Sequence, residues 1–175
     1  MANTTKFGEI ETMIRRDIVN DNDETQYRWS SFQVMSAINR AIVDLVNRYN
    51  VWAGYNPITG ARLTNLDTSA VSRYCDADPT TLSAYDETTS FIDGETSYTG
   101  VTAFIAHLRD KTIPISDRYR NSIAYLGAAK LLETDNSDTA NAQKSVYFIQ
   151  LAQDYAQMGN LKAVASGAIQ PRVAQ

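Results

Sequence analysis

Apolar side chains recur at helical intervals along much of the chain, most regularly in Arg28 to Asn50, RWSSFQVMSAINRAIVDLVNRYN. Met35, Ile38, Ile42, Leu45 and Tyr49 are three or four residues apart, which predicts one buried stripe of a helix over 30–50. Gln33, Ser36, Arg40, Asp44 and Asn47 fall on the other side, where the pattern predicts a solvated face. Ser30 and Gln33 have the spacing of a capping box, each side chain able to satisfy a free backbone N–H of the first turn. Trp29 and Val34 occupy the two positions of a hydrophobic staple around it. Asp44 and Arg48 add a supporting pair at i,i+4.

Residues 5–19 carry Phe7, Ile10, Ile14 and Ile18 on one stripe, with Thr4 or Thr5 as the cap. The polar run Asn20 to Glu24 ends this segment, and so short a link predicts an antiparallel pair with 30–50. A third helix is predicted over 116–132, capped by Ser116, with Asp117 in its first turn where the helix dipole favours an acid. Tyr119, Ile123 and Leu126 face inward there, with Gly127, Ala128 and Ala129 mid-helix. Asp138 or Thr139 caps a last helix over 139–158. Its inward stripe is Ala142, Ser145, Ile149, Ala152 and Ala156, and Gly159 is its stop. Small residues on both of these helices predict close backbone approach and a tight hairpin.

Between the helix pairs the texture changes. Residues 51–113 are rich in Gly, Thr, Ser, Asp and Tyr, with turn signals at Asn56-Pro57 and Asp93-Gly94. Thr89 to Asp93 and Val101 to Leu108 read as strands flanking a hairpin turn, with a helix over 101–109 as the competing reading. From Asn65 to Gly100 the acids Asp67, Asp76, Asp78, Asp86, Glu87, Asp93 and Glu95 face Arg73 alone. Connections of this length are usually functional or bind a partner. Residues 160–175 hold Lys162 and Arg172 and no acid, and read as a basic, extended tail. The expected fold is mainly α, a single domain over 1–175. Two helix hairpins form a four-helix bundle, with a loop and short-strand excursion between them and an extended C-terminal tail.

Composition narrows the function. A chain of 175 residues fits one domain, and its net charge of −4 disfavours non-specific attraction to DNA. Cys75 is the one cysteine, so neither an internal disulfide nor a thiolate cluster is possible. The start, MANTTKFGEIET, has no apolar leader and no 18-residue apolar run follows. The expectation is a soluble chain with neither a secretory signal nor a membrane span.

Candidate chemistry is sparse. There is no G-x-x-x-x-G-K-[ST], G-x-G-x-x-G or G-x-S-x-G. Asp21 and Asp23 resemble the start of a calcium loop, but Gln26 stands where glycine is required and Phe32 where the bidentate Glu belongs. His107 is the single histidine, and Cys75 lies between Tyr74 and Asp76 with no histidine near it. Asp76 and Asp78 read as solvated loop acids. No catalytic, cofactor-binding or metal-ligating set is expected, and the chain is not expected to be an enzyme. Trp29 reads as a staple rather than a partner contact. Trp52, with Tyr49, Tyr55 and Pro57 nearby, fits an aromatic interface patch or equally a partly buried core edge. Lys162 and Arg172 fit an acidic groove of a neighbour or, equally, a loose terminus. The interface candidates are therefore Trp52, Tyr55, Lys162 and Arg172; the capping set is Trp29, Ser30, Gln33 and Ser116.

Two blocks together carry a resemblance. One is Arg28-Trp29 before a capped amphipathic helix. The other is Ile113-Pro114-Ile115-Ser116, a helix with Tyr119, a turn with Asp135 and Asp138, then Asn141 and a final helix bearing Tyr147 and Phe148. This order resembles the helical head–tail adaptor (connector) proteins of tailed bacteriophages over roughly 1–50 and 113–160. The resemblance implies a structural virion protein, assembled in the host cytoplasm, whose copies form a ring, typically of twelve. That ring joins the portal protein to a tail nozzle, tail-tube or fibre protein and lines the channel through which DNA leaves as non-specific cargo. No cofactor and no membrane are implied. The alternative is a helical protein-binding module of a cellular regulatory or scaffold system, and an enzyme using Asp76, Asp78 or His107 ranks last.

Overall fold

The capping box at the start of the central helix forms in both directions. Ser30 N–H donates to Gln33 Oε1 at 2.8 Å, and Gln33 N–H donates to Ser30 Oγ at 3.2 Å. Trp29 and Val34 are both buried beside it, as a staple requires. The computed structural model describes residues 4–23, 25–48, 86–93, 95–113, 115–135 and 139–165. Its elements are α1 (Phe7–Thr12), running directly into a π-helical turn (Met13–Val19), α2 (Ser31–Arg48), strands β1 (Ser90–Asp93) and β2 (Thr96–Thr99), α3 (Val101–Asp110), a short 3-10 turn (Asp117–Tyr119), α4 (Arg120–Glu133) and α5 (Thr139–Ala165). Among the described residues the chain is thus mainly helical, with one small two-stranded sheet.

The predicted solvated face of α2 is only partly open to solvent. Ser36 is buried, as is the neighbouring Asn39, while Gln33 and Asp44 are half-buried and Arg40 is exposed. The side chain of Asn47, and Tyr49 of the predicted stripe, lie outside the described residues. The reason is that α2 has neighbours on more than one side, α1 and α4. Asp44 reaches across to Lys130 of α4, while the side chain of its expected local partner, Arg48, lies outside the described residues.

At the N-terminus, neither Thr4 nor Thr5 caps the first helix. Lys6 holds that position without a side-chain cap bond. Residues 5–7 instead bond to 111–113: Phe7 N–H donates to the Lys111 carbonyl and Ile113 N–H to that of Thr5, each at 2.9 Å. Asp117 ties the same segment down from the other side. Its carboxylate accepts from Thr4 N–H, Thr4 Oγ1 and Thr5 N–H at 2.7–3.0 Å. Burial pushes this carboxyl up, but the hydrogen bonds from Thr4 and Thr5 outweigh it and bring it down to about 2. Ser116 stands at the head of the 3-10 turn without capping it, its hydroxyl accepting from Arg118 Nε at 3.1 Å.

The excursion departs from its strand reading in one place. A hairpin does follow Ser90–Asp93, but its second strand is Thr96–Thr99, paired antiparallel from Ser90↔Thr99 to Asp93↔Thr96, and Gly94 of the turn signal lies outside the described residues. Residues 101–110 are helix. Gly100 sits at φ 92°, a conformation that lets the chain leave β2 and enter α3 at once. Glu87 then receives the free Thr102 N–H and Thr102 Oγ1 at the start of that helix. The β-branched Val101 and Thr102 suit either conformation; Phe104, Ile105 and Leu108, buried on one side, are the helical signal.

The α4–α5 hairpin is held by small residues and direct backbone contacts. Ser122 Oγ donates to the Ala152 carbonyl at 2.6 Å, and Ser145 Oγ to that of Ala129 at 3.2 Å. As one number rises the other falls, so the helices run antiparallel. The inward stripe of α5 is Asn141, Ser145, Ala152 and Ala156, with the predicted Ala142 exposed. Gly159 does not stop the helix. It lies within α5, which continues to Ala165, so the predicted tail begins helical. A Cβ on Gly159 would stand 2.5 Å from Tyr119 Cε1; here glycine serves close packing, not termination. Tyr119, fully buried, donates its hydroxyl to Asn160 Oδ1 at 2.8 Å.

Gly159→Ala is expected to destabilise the fold by about 1–3 kcal/mol in denaturant unfolding, because the overpacking cost exceeds the roughly 1 kcal/mol that alanine gains in a helix. A stabilised variant would show that the ring of Tyr119 yields freely. Asp117 has its carboxyl depressed in the folded state, so its contribution is present above its ordinary value near 3.8 and is lost as pH falls through about 2. Allowing for partial solvent screening it amounts to about 1–2 kcal/mol. Asp117→Asn should remove that part of the pH dependence of stability, measured between pH 5 and pH 2.

Candidate functional site

Glu11 and Arg15 are one helical turn apart, a spacing that on a surface helix gives only a weak pair. Here both are buried, with side chains 3% and 6% exposed. The π-helical turn is what turns Arg15 inward beside Ile14. It closes at Asn20, whose φ of 56° lets Asp21 N–H reach the Arg15 carbonyl at 2.7 Å. That closure also brings the Asp21 carboxylate to the same guanidinium. Arg15 donates from Nε to Glu11 at 3.0 Å, from Nη1 to Asp21 at 2.6 Å and from Nη2 to the Trp29 carbonyl at 3.0 Å. Its flat face lies 3.9 Å from the centre of the Tyr27 ring. Arg109 closes the cluster from α3, with Nε 2.7 Å from the second Glu11 oxygen, and Ser31 Oγ donates to Glu11 at 3.0 Å. Burial pushes the Glu11 carboxyl up; the hydrogen bonds and charges of Arg109 and Arg15 outweigh it and hold it below the ordinary carboxylate range.

These residues form the floor and wall of an open cleft of about 890 Å³, also lined by Thr12, Arg16 and Asn22. Both oxygens of Glu11 are taken by guanidinium and hydroxyl donors. An ionised, saturated carboxylate of this kind anchors neighbouring segments and has no proton to give. The cluster joins α1, the 20–29 loop, the start of α2 and the end of α3 at one point. Among the described residues no group of three or more His, Cys, Asp and Glu side chains is placed to hold a metal ion.

No family model, curated protein or solved structure matches this chain.

A second polar group lies under the hairpin. His107 Nε2 is 2.7 Å from Asp93 Oδ2, its Nδ1 is 3.0 Å from the Tyr98 hydroxyl, and the two rings stack with centroids 4.2 Å apart. Lys111 Nζ joins the same Asp93 oxygen at 2.7 Å. Burial pushes the Asp93 carboxyl up, and the hydrogen bonds from Lys111 and His107 bring it below its usual value. The lone histidine therefore fastens β1 and β2 to α3, over a core of Phe91 stacked on Phe104 with centroids 4.6 Å apart.

The α4–α5 hairpin presents a third feature, a run of aromatic rings. Tyr147 neighbours Phe148, Phe148 neighbours Tyr125, and Tyr125 stacks on Tyr155, with centroids 5.5–5.9 Å apart. Burial, and after it the neighbouring Tyr155 and Tyr147, pushes the Tyr125 hydroxyl up.

Of the interface candidates read from sequence, Trp52, Tyr55 and Arg172 lie outside the described residues, as do Cys75, Asp76 and Asp78. Lys162 is exposed on the last turns of α5, in a helix and not in an extended tail. Trp29, Ser30 and Gln33 come together as expected, whereas Ser116 does not cap. The Glu11–Arg15 spacing was the one sequence signal for the buried cluster. Asp21 stood out in its polar run only as the start of a calcium loop that the sequence does not complete, not as a partner of Arg15.

Replacing Arg15 by Met leaves Glu11 and Asp21 buried without their shared cation, and should cost about 3–5 kcal/mol in urea unfolding. Arg16→Met, which removes an exposed pair with Asp17, should stay within about 0.5 kcal/mol. Equal effects of the two would show that the cluster does not hold the segments together.

Proposed function

We propose that this chain is a structural virion protein, a head–tail adaptor of a tailed bacteriophage. Its copies form a ring, in our reading of twelve, joining the portal to the tail around the DNA exit channel. The observation that carries the reading is the ion pair between Arg28 and Asp135. These residues belong to the two separate blocks of sequence that resemble the adaptor family, and the pair joins them across the fold. Arg28 also lies over the Trp29 ring, 4.9 Å from its centre, where the capped helix begins. In this reading 7–19, α2, α4 and α5 make up a four-helix bundle of two hairpins, and the excursion reaches toward a neighbour or the next tail component. An excess of acid suits a channel wall, since like charge keeps DNA from sticking in transit.

The purified chain, alone or mixed with a phage portal protein, should give rings with a central hole in negative-stain images. A stable monomer that ignores the portal overturns the reading.

A further inference from the structure

Among the described residues the exposed large apolar side chains are Ile92, Val146, Tyr147, Met158 and Leu161. All but one stand on α5. The other, Ile92, is on the outer face of the β-hairpin, opposite the buried Phe91. Along α5 the order Lys144, Tyr147, Leu151, Tyr155, Met158, Lys162 keeps a spacing of three or four throughout. These six therefore share one stripe, cationic at both ends, with Tyr147 and Met158 exposed, Leu151 and Tyr155 half-buried, and the exposed Asp154 at the same spacing between them. The hairpin is its complement. Glu95 is exposed in the hairpin that carries Ile92, and Asp86 and Glu87 are exposed in the segment leading into it. Residues 86–106 contain no lysine or arginine, though Lys111 pairs with Asp93 on the inner face. The two patches lie at opposite ends of the packing series: α5 packs on α4, α4 on α2 and α1, α1 on α3, and α3 on β2.

We propose that the α5 stripe of one copy packs against the outer face of the hairpin of a second copy, with Ile92 on Tyr147 to Met158. Lys144 and Lys162 then face the hairpin acids. The occupant is a second copy, because both patches belong to one chain and the exposed Lys144 and Lys162 are opposite in charge to Asp86, Glu87 and Glu95. A chain of net charge −4 repels itself, and the lysine-ended stripe supplies the attraction that overcomes this. Because the patches differ, the contact is head-to-tail, and repeating it closes a ring or grows a filament. This inference rests on the ring reading above and names the surfaces that make it.

The test uses the full chain with Cys75→Ser. Ile92→Cys protein mixed with Tyr147→Cys protein should give a disulfide-linked dimer on mild oxidation, and neither should give one alone. The double variant should give a ladder ending at the ring. Glu95→Lys should weaken self-association roughly tenfold at low salt, with Lys144→Glu in the same chain recovering most of it. A Tyr147→Cys protein that links to itself, or rings that form without the mixed link, overturn this interface. Such rings binding portal would leave the adaptor reading standing. A mixed link in a chain that never binds portal sinks the adaptor reading and keeps the interface. A chain that stays monomeric with and without portal sinks both.

Discussion

Everything in the fold is arranged around how closely α4 approaches helices on two sides at once. On one side Gly127 lies where a Cβ would stand 3.0 Å from Ile14 Cδ1 and 3.8 Å from the Ile38 backbone. On the other, Ser122 and Ser145 span the gap to backbone carbonyls of the facing helix. Contacts this short exclude large side chains, and α4 is accordingly buried at Ser122, Ala124, Gly127, Ala128 and Ala129 as well as at its leucines. The same constraint shapes α5. It turns serine and alanine inward and carries its large aromatic residues to the side or outward, the reverse of an ordinary amphipathic helix.

Where the backbones are not in such close contact, buried charge holds the chain. The Glu11–Arg15–Asp21 cluster is costly to desolvate, and pairing offsets that cost only when every partner is present. It therefore favours one arrangement of the 20–29 loop over others, since any other loop path would strand Arg15 or Asp21. Asp117 does similar work more cheaply at the N-terminus, using neutral donors of Thr4 and Thr5 near the surface.

What was legible in the sequence was what depends on near neighbours. The Ser30–Gln33 box and the apolar stripe of α2 from Met35 to Leu45 followed from spacing alone, because caps and stripes are set within a turn or two. The α4–α5 hairpin followed from small residues on both helices and the short link between them. Ser36 and Asn39 were not readable as buried, since a polar residue opposite an apolar stripe looks the same whether water or a second helix covers it. Gly159 was misread for a related reason. Glycine is favoured both after a helix and beneath an aromatic ring, and only the position of Tyr119, forty residues earlier in the chain, separates the two. The inward turn of Arg15 depends on a π-helical turn that breaks the 3.6-residue period, so a stripe count over 5–19 could not find it.

Residues that the fold does not use are informative in a different way. Tyr147 is 58% exposed, so most of its apolar surface contributes nothing to holding the subunit together. Tyr155 has an internal role, stacked on Tyr125 of α4, but a helix whose inner side needs small residues has no such reason to expose Tyr147 and Met158. Scattered apolar residues on a surface need no explanation, but a stripe does. In the proposed contact its match lies not on α5 itself but on the hairpin, where Ile92 is exposed. A patch complementary to itself would pair two copies and stop; two unlike patches on one chain leave each added copy with a free end. In the proposed contact that asymmetry, rather than the size of either patch, is what lets the contact repeat, into a ring or a filament according to the rotation between copies.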